Sequence, residues 1–216
     1  EEYSDENNES LYKFGTDFIE FLEEFKFPED AANEFAANKI FNYINSNIRK
    51  KIDQNINRAI EKNKINQDNF KKSVEEISSK IISKELDNWE KRDYVTDASD
   101  EFINEFLNDF SEVIDEIIKV IFKNITLDET CIKKMKLISS YLFCKDYITN
   151  SHTGVVIAGY GSKNIFPKII DYKIESCLYD TLKYKKKKKK EKIKKGKHEN
   201  ITFSQKENIN NFIEGI

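Results

Sequence analysis

The chain has 216 residues, 38% apolar and 35% charged, with a formal net charge of -3. Its 12% aromatic share, including 16 Phe, is too rich for a disordered chain, and no apolar run approaches the length of a membrane helix. The expectation is a soluble, cytoplasmic protein of one large or two small domains, built from amphipathic helices around a Phe/Ile/Leu core.

Charge is unevenly spread. Residues 1–30 hold 11 acidic and 2 basic side chains, whereas 183–197 hold 11 Lys and one Glu. Heavy use of Lys, Asn and Ile has the look of codon bias, which weakens a functional reading of any Lys or Asn run. The three cysteines, Cys131, Cys144 and Cys177, are odd in number and widely spaced. That fits neither a disulfide framework nor a zinc site and points to a reducing compartment. A start at Glu1 and a stop at Ile216, directly after an apolar helical pattern, read as a fragment of a longer protein.

Leu11, Phe14, Phe18, Leu22 and Phe25 step by three and four, predicting a helix that ends before Pro28. Pro28 followed by Glu29 and Asp30 predicts a second start, with acids near the positive end of the helix dipole. That helix would bury Phe35, Ile40, Ile44, Ile48, Ile52, Ile56 and Ile60 and end near Asn63. A third is predicted from Gln67 to Lys91 through Phe70, Val74, Ile77, Ile81 and Trp89. A fourth, from Asp97 to Asn124, carries Phe102, Phe106, Phe110, Val113, Ile117 and Ile121. Its Phe102, Phe106, Phe110 and Ile117 are expected to form a buried stripe against the 18–25 helix or the 44–56 helix. Thr126-Leu-Asp-Glu129 reads as a capping box opening a fifth helix through Met135, Ile138 and Leu142.

The period then changes. Residues 155–158 are a short apolar run, Gly159-Tyr160-Gly161 offers a turn with positive φ, and Ile170, Tyr172 and Ile174 alternate with charged neighbours. Strand 155–158 is therefore predicted to pair antiparallel with 169–174 across a turn at 159–162. The second strand is expected to continue past Cys177 towards Tyr184, and the lysine-rich 185–197 to be a solvated loop. Residues 199–204 then read as a third strand and 206–214 as a closing helix. The fold class expected is α+β, predominantly helical with a small antiparallel sheet near the C-terminus. Its regions are 1–125, long helices, and 126–216, a helix, antiparallel strands and the closing helix.

Val156-Ile-Ala-Gly-Tyr160, the strand at 166–174, and Phe203-Ser-Gln205 leading into Phe212-Ile-Glu214 give a final order with a resemblance. Over about residues 127–216 it resembles the second half of a proteasome-type subunit, an N-terminal-nucleophile hydrolase. The resemblance implies an αββα sandwich, with most of 1–125 an insertion. That family's nucleophile is a Thr, Ser or Cys at a processed N-terminus, activated by its own α-amine. Glu1 is none of these, and no strand pair precedes the helices. The resemblance thus implies a threonine-type peptidase or amidohydrolase relative whose catalytic half lies outside this chain, or an inactive one. It carries over no site residue.

Other chemistry reads as bland. His152 and His198 could complete a metal site with carboxylates, but loop histidines are usually just solvated. Cys144 and Cys177 read as buried thiols rather than nucleophiles, lacking a His partner in sequence. Glu20, Glu23, Glu24 and Glu29 read as a charged helix face, and Gly159-Tyr-Gly161 as a hairpin turn rather than a phosphate cradle. No catalytic residue, cofactor or metal is expected. Lys185, Lys186, Lys187, Lys188, Lys189 and Lys190 are the candidate polyanion contact, through salt-dependent attraction without base readout. A plain loop is the favoured reading, so nucleic acid is disfavoured as a partner. Two further function readings stay open besides the hydrolase relative: a non-enzymatic helical scaffold or assembly module, with a second copy or another protein as partner, and a weak polyanion binder.

Overall fold

The computed structural model describes residues 11–25, 28–95, 100–149, 152–159, 168–179 and 181–186. The fold is α+β, mostly helical with a small three-stranded antiparallel sheet. The described residues divide into two compact units. One spans Phe27–Tyr147, and the other joins the described parts of Glu1–Lys26 and Ile148–Ile216.

In the helical unit, α2 (Glu29–Tyr43), a π-helical segment (Ile44–Arg49) and α3 (Lys50–Glu61) follow one another without a break. The sequence explains the π segment. Ile40, Ile44, Ile48, Ile52 and Ile56 recur every four residues, and in an α-helix each such step rotates the row by roughly 40°. Over the whole row that drift moves the later isoleucines around the helix relative to Ile40. The wider π turn offsets part of that rotation in mid-row, and all five isoleucines are buried. Phe35 and Ile60, expected inside, lie at the surface because the row has turned away at both ends. The rod closes on Asn63, whose N–H reaches the Ile60 carbonyl and whose φ of 51° turns the Lys64 N–H onto that of Ala59.

Helix α4 (Phe70–Glu90) begins three residues later than Gln67. Asn66 and Asn69 explain the delay, because each side-chain oxygen accepts the other's backbone N–H, at 2.8 and 3.0 Å, and holds a turn. Its buried row is Val74, Ser78, Ile82, Leu86 and Trp89, while Ile77 and Ile81 sit half-buried on the flank and Phe70 is exposed. Helix α5 spans Asp100–Ile121 and α6 spans Glu129–Cys144. The cap of α6 is Asp128, not Thr126: its Oδ1 accepts the Cys131 N–H at 2.6 Å.

Helices α4 and α5 both pack on α6, and α5 also touches α2 and the π segment. Phe106 is fully buried, with ring centroids 4.8 Å from Phe110, 5.3 Å from Phe143 and 6.3 Å from Phe102. The expected stripe is right through Phe110 and then shifts. Ile114 and Ile118 continue the buried row, Ile117 is half-buried and Val113 is exposed. The buried row on α5 keeps to four-residue steps from Phe102 to Ile118, and the three-residue step from Phe110 to Val113 is what leaves it.

In the sheet unit, β1 (Thr153–Gly159) pairs antiparallel with β2 (Lys168–Leu178). The register sets Val155 opposite Tyr172 and Ala158 opposite Ile169, as the alternation predicts. The Gly159-Tyr-Gly161 turn lies beyond Gly159 outside the described residues. The second strand does not continue to Tyr184. It ends at Leu178, which pairs with Thr181, and β3 (Thr181–Lys186) returns antiparallel along it. Tyr179, with φ of 50°, starts the reversal that no Gly or Pro announces. Lys185 and Lys186 therefore end a strand instead of opening a loop. The 187–197 stretch, the 199–204 strand and the 206–214 helix lie outside the described residues. Helix α1 (Leu11–Glu24) lies on the sheet, where Ile19 joins Ile170, Tyr172 and Leu182 in a small core.

Candidate functional site

Polar chemistry gathers at two buried points. In the sheet, the β2–β3 register slips between Ile174 and Ser176, so Glu175 sits in a bulge. Its carboxylate takes the Thr149 N–H on Oε1 at 2.6 Å and faces the Lys183 Nζ from Oε2 at 2.9 Å, as an ion pair rather than an aligned hydrogen bond. Both charged side chains are 0% exposed. His152 lies beside this pair in the chain path. Its Nδ1 is 2.7 Å from the Thr149 carbonyl, which can only accept, so Nδ1 carries the proton.

In the helical unit, Glu85 is the hub. Its Oε1 accepts from the Tyr43 hydroxyl at 2.5 Å and its Oε2 from the Lys51 ammonium at 2.8 Å. The Tyr43 oxygen in turn accepts from the Trp89 Nε1–H at 2.7 Å. Tyr43 directly precedes the π segment and Lys51 lies two residues beyond its end. Burial first, then the Glu85 hydrogen bond and charge, push the Tyr43 phenol far above its ordinary value. It is a locked donor and no base. Beside it, the Arg92 guanidinium stacks over Tyr147 and Trp89 at 4.6 and 5.1 Å.

The sequence candidates fall apart in space. Lys185 and Lys186 are exposed on β3, the Lys186 Nζ lying 4.4 Å from the Tyr12 ring centre, and Lys187, Lys188, Lys189 and Lys190 lie outside the described residues. Cys131 and Cys144 are buried thiols and Cys177 is half-buried. Burial, followed by the Asp128 carboxylate, pushes the Cys131 thiol up to about 11, the opposite of nucleophile activation. His198 lies outside the described residues, and no group of three metal-ligating side chains occurs among the described residues. No described helix is long and apolar enough to cross a membrane.

A third feature lies on the surface. Between α2 and α5 runs an open groove of about 670 Å³, lined by Ala37, Asn38 and Phe41 on one side and by Glu112, Val113, Asp115, Glu116, Ile117 and Lys119 on the other. Phe41 and Val113 are each 37% exposed, and Val120, a turn beyond Ile117, is 62% exposed. Val113, Ile117 and Val120 stand at i, i+4 and i+7, one apolar line along the uncovered edge of α5. Sequence reasoning placed Val113 and Ile117 in the core and so missed the groove. The signal was present: between 113 and 121, α5 has more apolar residues (Val113, Ile114, Ile117, Ile118, Val120, Ile121) than one buried stripe uses.

Comparison with protein-family models, with curated proteins and with solved structures finds no match.

Proposed function

We propose that this chain is a non-enzymatic interaction module whose helical unit docks a segment of another protein along the α2–α5 groove. The observation that carries the reading is the open channel in which exposed Val113 and half-buried Ile117 lie opposite Phe41, with exposed Val120 one turn beyond it. Single exposed apolar side chains are ordinary, whereas a lined-up group beside a groove is the shape that receives an amphipathic segment. The buried clusters support the same reading, because their donors and charges are spent on each other and act as scaffold. The test is selection of displayed random peptides on the full chain, counter-selected against Val113→Asp and Val120→Asp. Clones that bind the native chain and reject both variants are expected; clones that never distinguish them would contradict the reading.

A second reading keeps the chain as an inactive or partial relative of the proteasome-type hydrolases. Its support is the antiparallel β1–β2 pairing around Val156-Ile-Ala-Gly159, the strand pair on which the resemblance rests. Finding in the coding sequence upstream of Glu1 a β-hairpin that starts with Thr, Ser or Cys after autoprocessing would favour it over the docking module.

A further inference from the structure

We infer that the segment received by the α2–α5 groove is a lysine- or arginine-rich amphipathic helix of a different protein. This rests on the docking reading and names its partner. Helix α5 carries seven carboxylates against the single Lys119. Four of them, Glu105, Asp109, Glu112 and Glu116, are exposed at i, i+4, i+7 and i+11 and form a ridge beside the apolar line. Of these, Glu116 already pairs with Lys119, another lining residue, and Asp115, which also lines the groove, pairs with Lys136. Glu105 and Glu112 make no ion pair among the described residues. The first turns of α2, ahead of the lining residues Ala37, Asn38 and Phe41, add exposed Glu29, Asp30 and Glu34 on the same helix.

Such a surface repels acidic partners and attracts a helix with apolar residues on one face and cations on its flanks. The chain's own cationic stretch does not have that form. Residues 183–197 carry 11 Lys, but Tyr184 and Ile193 are their only large apolar residues. That stretch could meet the carboxylates and would leave Phe41, Val113 and Val120 uncovered. The occupant must bring charge and apolar side chains together, which points away from the 183–197 stretch of a second copy.

The experiment is calorimetric titration of the full chain with two synthetic amphipathic helices of equal length, one Leu/Lys and one Leu/Gln. Each is also titrated into Val113→Asp and into Glu105→Lys/Glu112→Lys, after urea unfolding has checked that both variants fold. The expected result is that Leu/Lys binds about tenfold or more tighter than Leu/Gln, that salt weakens it, and that both variants lose that affinity. Equal binding of the two helices, lost in Val113→Asp but indifferent to charge reversal, would overturn the basic partner and leave the docking reading standing. Binding indifferent to Val113→Asp would overturn both. Self-association of the native chain in sedimentation, abolished by Val113→Asp, would put a second copy on this face and overturn the foreign partner.

Discussion

Gly15 of α1 lies so close to Tyr172 of β2 that a Cβ at position 15 would stand 2.5 Å from the tyrosine hydroxyl oxygen and 3.2 Å from the Ile170 Cδ1. The glycine is what lets the helix settle on the sheet. Replacing a helical Gly by Ala ordinarily stabilises by up to about 1 kcal/mol. Here the added methyl meets a rigid ring that is 3% exposed and cannot swing away. Overpacking of this kind costs about 1–3 kcal/mol. Gly15→Ala is therefore expected to destabilise in urea unfolding, and a net gain would mean that α1 can lift from the sheet at little cost.

Phe106→Ala empties a site with three aromatic neighbours and no solvent exposure. The expected loss is about 3–5 kcal/mol by equilibrium unfolding. Val120→Asp, on the same helix, should change stability by no more than about 0.5 kcal/mol because its side chain is already in water. Similar losses at the two positions would contradict the assignment of core and docking faces.

Most of the helices were legible because their apolar spacing is strong, and β1 with β2 because the period switches to two. What escaped the sequence depends on which edge of a wide apolar face is covered. Val113 and Ile114 are equally apolar neighbours, and only packing on α6 and α2 decides that Ile114 goes inside. The four-residue isoleucine row likewise looks like an ordinary helix stripe, so its π segment is visible only in three dimensions. Tyr179 reverses the chain with the backbone of a glycine, and α1 joins a sheet more than a hundred residues away in sequence, a pairing no local pattern encodes.

Lys183→Met should cost about 3–5 kcal/mol, since it strands the Glu175 carboxylate without its cation in a buried setting. Adding Glu175→Gln removes that charge and keeps an acceptor for the Thr149 N–H. Much of the stability should return in the double variant. Additive losses in this double-mutant cycle would show that the two charges are not coupled.

Tyr43→Phe should cost about 1–3 kcal/mol by leaving the Trp89 N–H and one Glu85 oxygen without their partner. The phenol also sets an alkaline limit. Its folded pKa is raised, so its contribution is full below the unfolded value of about 10 and declines as pH rises above it. Stability measured from about pH 9 to 12 should fall more steeply for the native chain than for Tyr43→Phe. Parallel curves would contradict the buried, locked phenol.

The lysine stretch tests the polyanion reading separately. Binding of heparin or single-stranded DNA is expected at low salt and is expected to vanish near physiological ionic strength, because the remaining surface is acidic. Tight binding at physiological salt, lost when residues 185–190 are replaced by Ser, would rank nucleic acid above protein as the partner.

The most direct measurement is a backbone amide chemical-shift map of the full chain, titrated to saturation with the Leu/Lys helix. The docking account predicts perturbations concentrated at residues 37–41 and 109–120, with the sheet residues 153–186 unchanged. Perturbations centred on the sheet, with residues 37–41 and 109–120 unchanged, would contradict it.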